Sequence, residues 1–88
     1  MEAKEKANKV YDLLVSIGGA SESERNSFIY HHIEAKGGCS EWRFGGKLGF
    51  GGKYRSGTNS VDCYKEDETQ DRIKIIENLN LELHNLNS

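Results

Sequence analysis

The chain has 88 residues, 35% of them apolar and 30% charged, and its formal net charge is −2. That length holds a single domain, 1–88, whose small core buries roughly 60–65% of the unfolded surface. The weakly acidic balance removes any global electrostatic case for nucleic acid, so a signal of that kind must be local. No apolar run is long enough to span a bilayer, and no signal peptide is expected ahead of Val10. Two cysteines, Cys39 and Cys63, are too few for a secreted disulfide scaffold, so a cytoplasmic chain with reduced thiols is expected.

In chain order, residues 3–17 predict a helix, because Ala3, Ala7, Val10, Leu14 and Ile17 recur at steps of three and four before Gly18-Gly19. A second helix is expected after Ser21, which forms a capping-box pattern with Glu24. Phe28, Ile29, His32 and Ile33 supply its apolar side, and Gly37-Gly38 close it. The period then changes from helical to alternating. Trp42 and Phe44, Leu48 and Phe50, Tyr54, and Val61 and Cys63 each keep one parity within their segments. Gly45-Gly46 reads as a two-residue turn and residues 56–60 as a second turn, giving a three-stranded antiparallel meander. Asp67 with Gln70, among further acids, marks the start of a last helix with Ile73, Ile76, Leu79, Leu83 and Leu86 along one face. The expected architecture is α+β in the order α-α-β-β-β-α, with the helices packed on one face of the sheet. Ile75 and Leu81 widen the apolar area of the last helix, which leaves room for a homodimer through it.

The segment Glu41–Arg55, EWRFGGKLGFGGKYR, holds five of the ten glycines, four cations and four aromatics. A nucleoside-triphosphate loop is excluded, since Gly52-Lys53 is followed by Tyr54 and Lys47 stands where the first glycine belongs. The dinucleotide fingerprint fails as well, with Tyr54 in place of its third glycine. The alternation suggests instead that Trp42, Phe44, Leu48, Phe50 and Tyr54 point toward the helices. Arg43, Lys47, Lys53 and Arg55 then point outward with Gly49 and Gly51, and Asp62 and Tyr64 border the same face. Bare backbone amides flanked by Lys and Arg suit an anion. The plainer reading is an ordinary solvated strand face whose lysines guard an edge and whose glycines mark bulges. A bulge at Gly51-Gly52 would reverse the parity and expose the aromatics as a platform for single strands.

Other constellations are weaker. His31 and His32 with Cys39 and Cys63 match no zinc spacing, and adjacent helical histidines diverge by about 100°. No metal or cofactor is expected. Nothing in the sequence orients a Cys–His pair as a nucleophile and base, so a non-enzyme is expected. The acids Asp62, Glu66, Asp67 and Glu68 open a second possibility, a protein–protein inhibitor that occupies a basic groove on a host enzyme.

EWRF, GKLGFGGK and YKEDET together resemble a family of small proteins of tailed bacteriophages, T7-like and related, over about residues 9–80. The family pattern has a proline after EDET where this chain has Gln70, a first-turn position that tolerates either. The resemblance carries no catalytic residues across. It implies a phage protein in the host cytoplasm that acts by binding, for host takeover or counter-defence. Its partner would be a host bacterial protein, a nucleotide or a nucleic acid. The expectation is therefore a non-catalytic protein that holds an anionic ligand on a cationic Gly-rich hairpin, through Arg43, Lys47, Gly49, Gly51, Lys53, Arg55 and Tyr64.

Overall fold

A computed structural model of the chain describes residues 3–34, 41–64, 66 and 68–86. Helix α1 spans Ala3–Ser16, α2 Arg25–Glu34 and α3 Gln70–Leu86. Strands β1 (Glu41–Phe44), β2 (Gly52–Arg55) and β3 (Ser60–Asp62) lie between α2 and α3. The element order is the expected α-α-β-β-β-α, and the sheet is an antiparallel meander in the order β1-β2-β3.

Helix α1 buries Ala7, Val10, Tyr11 and Leu14, a stripe at steps of three, one and three that faces the rest of the core. It ends as predicted at Gly18-Gly19. Gly19 takes a φ of 73°, and this left-handed step lets the Ala20 N–H donate back to the Leu14 carbonyl at 2.9 Å. The second helix begins differently from the capping-box pattern. Ser21 accepts from the Ser23 N–H at 3.3 Å and caps a short 3-10 turn, Glu22–Glu24, before the α-helix starts at Arg25. Arg25 then ties the two helices together. It forks onto Glu22, reaches the Asn8 carbonyl at 3.1 Å and Asp12 at 2.6 Å, and lies over the Tyr11 ring. The hydrogen bond to Glu22 is the main reason its guanidinium holds its proton above the ordinary arginine value.

The apolar side predicted for α2 divides. Phe28 is fully buried and His32 half-buried, whereas Ile33 is exposed and Tyr30 is 71% exposed. Phe28 is the hub of the core, with ring centroids 5.0 Å from Tyr11, 5.5 Å from Trp42 and 5.6 Å from Tyr54. Edge-on aromatic contacts of this kind add to the area they bury. Gly37, Gly38 and Cys39 lie outside the described residues.

The main departure from expectation is in the glycine-rich segment. Gly45-Gly46 is not a two-residue hairpin turn, and Leu48 is not on a strand. Residues Gly46–Gly51 form a 3-10 stretch, broken by a kink at Gly49, that connects β1 to β2. The physical reason is a backbone crossing. Gly46, at φ 58°, lies against Gly18 and Gly19 so closely that a Cβ there would sit 2.3 Å from the Gly18 carbonyl oxygen. The next N–H, of Lys47, donates to that same oxygen at 2.7 Å. Two glycine pairs thus lock the end of α1 to the β1–β2 connection. Leu48 is buried as the alternation suggested, but from the 3-10 stretch.

Helix α3 is capped by Thr69, and Asp67 lies outside the described residues. The Thr69 hydroxyl accepts from the Arg72 N–H at 3.2 Å, and its carbonyl accepts from the Ile73 N–H at 2.8 Å. Leu79 and Leu83 are fully buried and Leu81 is 58% exposed. Asn80 joins the helix to the sheet: its side-chain amide accepts from the Val61 N–H at 2.8 Å and donates to the Val61 carbonyl at 3.0 Å. Asn59, at φ 51°, adds a bond to the Leu83 carbonyl and accepts from the Tyr54 hydroxyl. Burial pushes that phenol's pKa up to about 12. No helix is long and apolar enough to cross a membrane among the described residues.

Candidate functional site

Successive residues of a strand point to opposite sides of the sheet. The helices take Phe44, Tyr54 and Val61 from one side, all buried, with Trp42 half-buried beside them. The register then assigns the other side. Glu41 lies opposite Arg55, Arg43 opposite Lys53, and Lys53 opposite Asp62. Five charged side chains therefore share the outer face, three basic and two acidic.

The contacts follow one path through them. Arg43 Nε donates to Glu41 Oε1 at 3.2 Å, and Glu41 Oε2 lies 3.5 Å from Arg55 Nε. Arg55 Nη1 is 3.7 Å from Asp62 Oδ2, and Asp62 Oδ1 is 3.7 Å from Lys53 Nζ. Tyr64 closes the path into a ring. Its centroid lies 4.2 Å from Lys53 Nζ and 5.4 Å from the Arg43 guanidinium. Beneath Tyr64 the Lys53 residue is only 9% exposed, an unusual burial for an ammonium. The aromatic face and Asp62 offset part of its desolvation. Asp62 Oδ1 is itself buried and makes no hydrogen bond to any described residue.

Three cations face two carboxylates, so the surplus on this side is one positive charge. The acids at the two ends of the cationic run, Glu41 and Asp62, fold back among the basic residues. That cross-strand pairing is the signal the linear reading missed, since opposite charges directly across an antiparallel pair attract. Arg43 is the most open member of the ring, with 61% of its side chain exposed.

The remaining residues expected here go elsewhere. Lys47 is not on the sheet face. It lines an open cleft of about 290 Å³ with Ser16, Ile17, Lys74, Ile75 and Asn78, between the end of α1 and α3. Lys47 and Lys74 bring positive charge to the C-terminal end of α1, which has no basic residue in its own last turn. Gly49, at φ 63°, is covered by Arg72, whose Nη2 would lie 2.8 Å from a Cβ at that position. Gly51 ends the 3-10 stretch. The structure thus brings together Arg43, Lys53, Arg55 and Tyr64 and leaves Lys47, Gly49 and Gly51 off the face.

The acidic alternative is also divided. Asp62 belongs to the charge ring, while Glu66 and Glu68 are exposed ahead of α3. Among the described residues no group of three or more His, Cys, Asp or Glu side chains is placed to hold a metal ion. Cys63 is buried, and His31 and His32 pack on Trp42 and on Phe28 and Tyr54 respectively. Comparison of the chain with protein-family models, with curated proteins and with solved structures finds no match in any of the three.

Proposed function

We propose that the chain is a non-catalytic binding protein that takes an anionic ligand on the outer face of its sheet. The resemblance noted above suggests the setting, a phage protein at work in the host cytoplasm during takeover or counter-defence. The observation that supports the reading is the charge ring: three cations share two carboxylates on the side of the sheet away from the helices. The more exposed pairs, Glu41 with Arg43 and with Arg55, are worth about 0–1 kcal/mol each, so an incoming phosphate or carboxylate can replace the Glu41 carboxylate at small cost. Arg43 and Arg55 are the contacts of choice, because guanidinium groups hold oxyanions through two parallel hydrogen bonds. Lys53, under Tyr64, contributes field more than contact.

The test is an amide-resolved NMR titration with pyrophosphate. Saturable shifts are expected at residues 41–43, 53–55 and 60–64. Affinity should fall by about tenfold or more in the Arg43→Ala, Arg55→Ala double variant, in line with the loss of two charge-assisted contacts. Binding that leaves those amides unmoved, or that the double variant retains, removes this site. The runner-up reading, inhibition of a host enzyme through acids, is favoured by the exposure of Glu66 and Glu68. It predicts the opposite pattern: charge reversal at those two positions abolishes capture of the host protein, and the double arginine variant captures it normally.

A further inference from the structure

The ring of charges is closed by an aromatic side chain that covers Lys53 and still keeps 38% of its surface open to solvent. We infer that the anion is carried on a nucleoside: a nucleoside phosphate unit, free or within a single strand, with its base stacked on Tyr64 and its phosphate between Arg43 and Arg55. This rests on the anion-binding reading above and narrows the ligand within it.

Three observations carry the inference. First, Glu41 already marks a place for an oxyanion, since its two carboxylate oxygens reach Arg43 at 3.2 Å and Arg55 at 3.5 Å. Both arginine side chains are about half exposed or more, so the carboxylate can yield to a stronger bidentate acceptor. Second, Tyr64 is held in place by Lys53 and Arg43 yet remains 38% exposed. Its neighbour Cys63 is buried and anchors the backbone at that point. An aromatic ring fixed before binding loses little conformational freedom when a base stacks on it. Third, phosphate site and ring are adjacent: Arg43 touches both Glu41 and Tyr64. An antiparallel sheet face that presents an aromatic beside Arg and Lys can stack a base while the cations take the backbone phosphate. An inorganic anion would leave the exposed part of Tyr64 unused, and so would a carboxylate of an acidic peptide.

The experiment compares adenosine monophosphate, ribose 5-phosphate and a short single-stranded oligonucleotide as NMR titrants. The proteins are the wild type, Tyr64→Phe and Tyr64→Leu. Leucine keeps an apolar cover over Lys53 and removes the π face, and an amide spectrum that matches the wild type away from residue 64 shows that the fold is retained for the comparison. In the wild type and Tyr64→Phe, the nucleotide is expected to bind about tenfold or more tightly than ribose 5-phosphate, with the ring protons of residue 64 moving upfield. In Tyr64→Leu that advantage should vanish. An oligonucleotide that outbinds the mononucleotide identifies a strand as the source, and equal affinity identifies the free nucleotide; both support the inference. Equal binding of nucleotide and ribose 5-phosphate to the wild type overturns it and leaves the anion reading standing. No saturable shift with any of these titrants or with pyrophosphate overturns both.

Discussion

Gly46 and Gly49 have similar positive φ angles, 58° and 63°, but different surroundings. A methyl group on Gly46 would meet backbone on one side only 2.3 Å away, the Gly18 carbonyl oxygen that also accepts from Lys47. Neither chain can retreat without breaking that hydrogen bond. A methyl group on Gly49 would meet the far end of the Arg72 side chain, which can swing aside. Gly49→Ala is therefore expected to cost about 2 kcal/mol, the strain of an alanine held at φ 63° and ψ −157°, a backbone region open in practice to glycine alone. Gly46→Ala should cost about 4 kcal/mol or more, because a backbone clash and a lost hydrogen bond add to the strain of a positive φ. Urea denaturation of the two variants checks the ranking, and equal losses would show that the glycine crossing does not hold the fold.

Helix α2 is joined to the sheet through aromatic contacts that include a histidine. The His32 ring lies 5.6 Å from Phe28 and 5.9 Å from Tyr54, and its buried Nδ1 makes no hydrogen bond to a described residue. Burial, followed by the nearby charges of Lys6 and His31, holds its pKa below the ordinary value of 6.5. The fold thus favours neutral imidazole, and the unfolded chain takes up the proton more readily. The stabilisation is fully present above pH 6.5 and is lost as pH falls through the lower folded value. The melting temperature should therefore drop on acidification from neutral pH, and His32→Phe should flatten that part of the profile. A variant with an unchanged acid slope would mean that other groups govern it. At this scale the sequence was legible wherever period and punctuation agreed, as in α1, in the leucine stripe of α3 and in the outward parity of Arg43, Lys53 and Arg55. It was misleading at residues 46–51. There, burial of Leu48 fits an alternating strand and a 3-10 stretch equally well, and only the contact with Gly18, distant in sequence, decides between them. The same limit hid the charge ring, since Glu41 and Asp62 become neighbours of the arginines and lysine through strand register alone.

At the scale of the whole molecule, one core links every element. Phe28 of α2 touches Tyr11 of α1, Trp42 of β1 and Tyr54 of β2, and Leu79 and Leu83 of α3 belong to the same buried cluster. Unfolding should accordingly be a single transition, with fluorescence of the lone Trp42 and far-ultraviolet circular dichroism tracing coincident urea curves. The slope should be about 1 kcal/mol per molar urea, as suits a chain of this size. Separate midpoints for the two signals would mean that the sheet and the helices part independently. The clasp of Asn80 on Val61 has a further consequence for how this sheet meets other chains. An edge strand ordinarily offers a row of unpaired amides and carbonyls as a template for a newcomer. At β3 the central outward-facing pair is already satisfied by one side-chain amide, a substitute for the missing neighbour one residue long. Recruitment of an extra strand, whether from a partner or in aggregation, is thereby directed to β1, where Glu41 and Arg43 stand as charged sentries. Among the described strands the sheet has one sealed margin and one guarded margin.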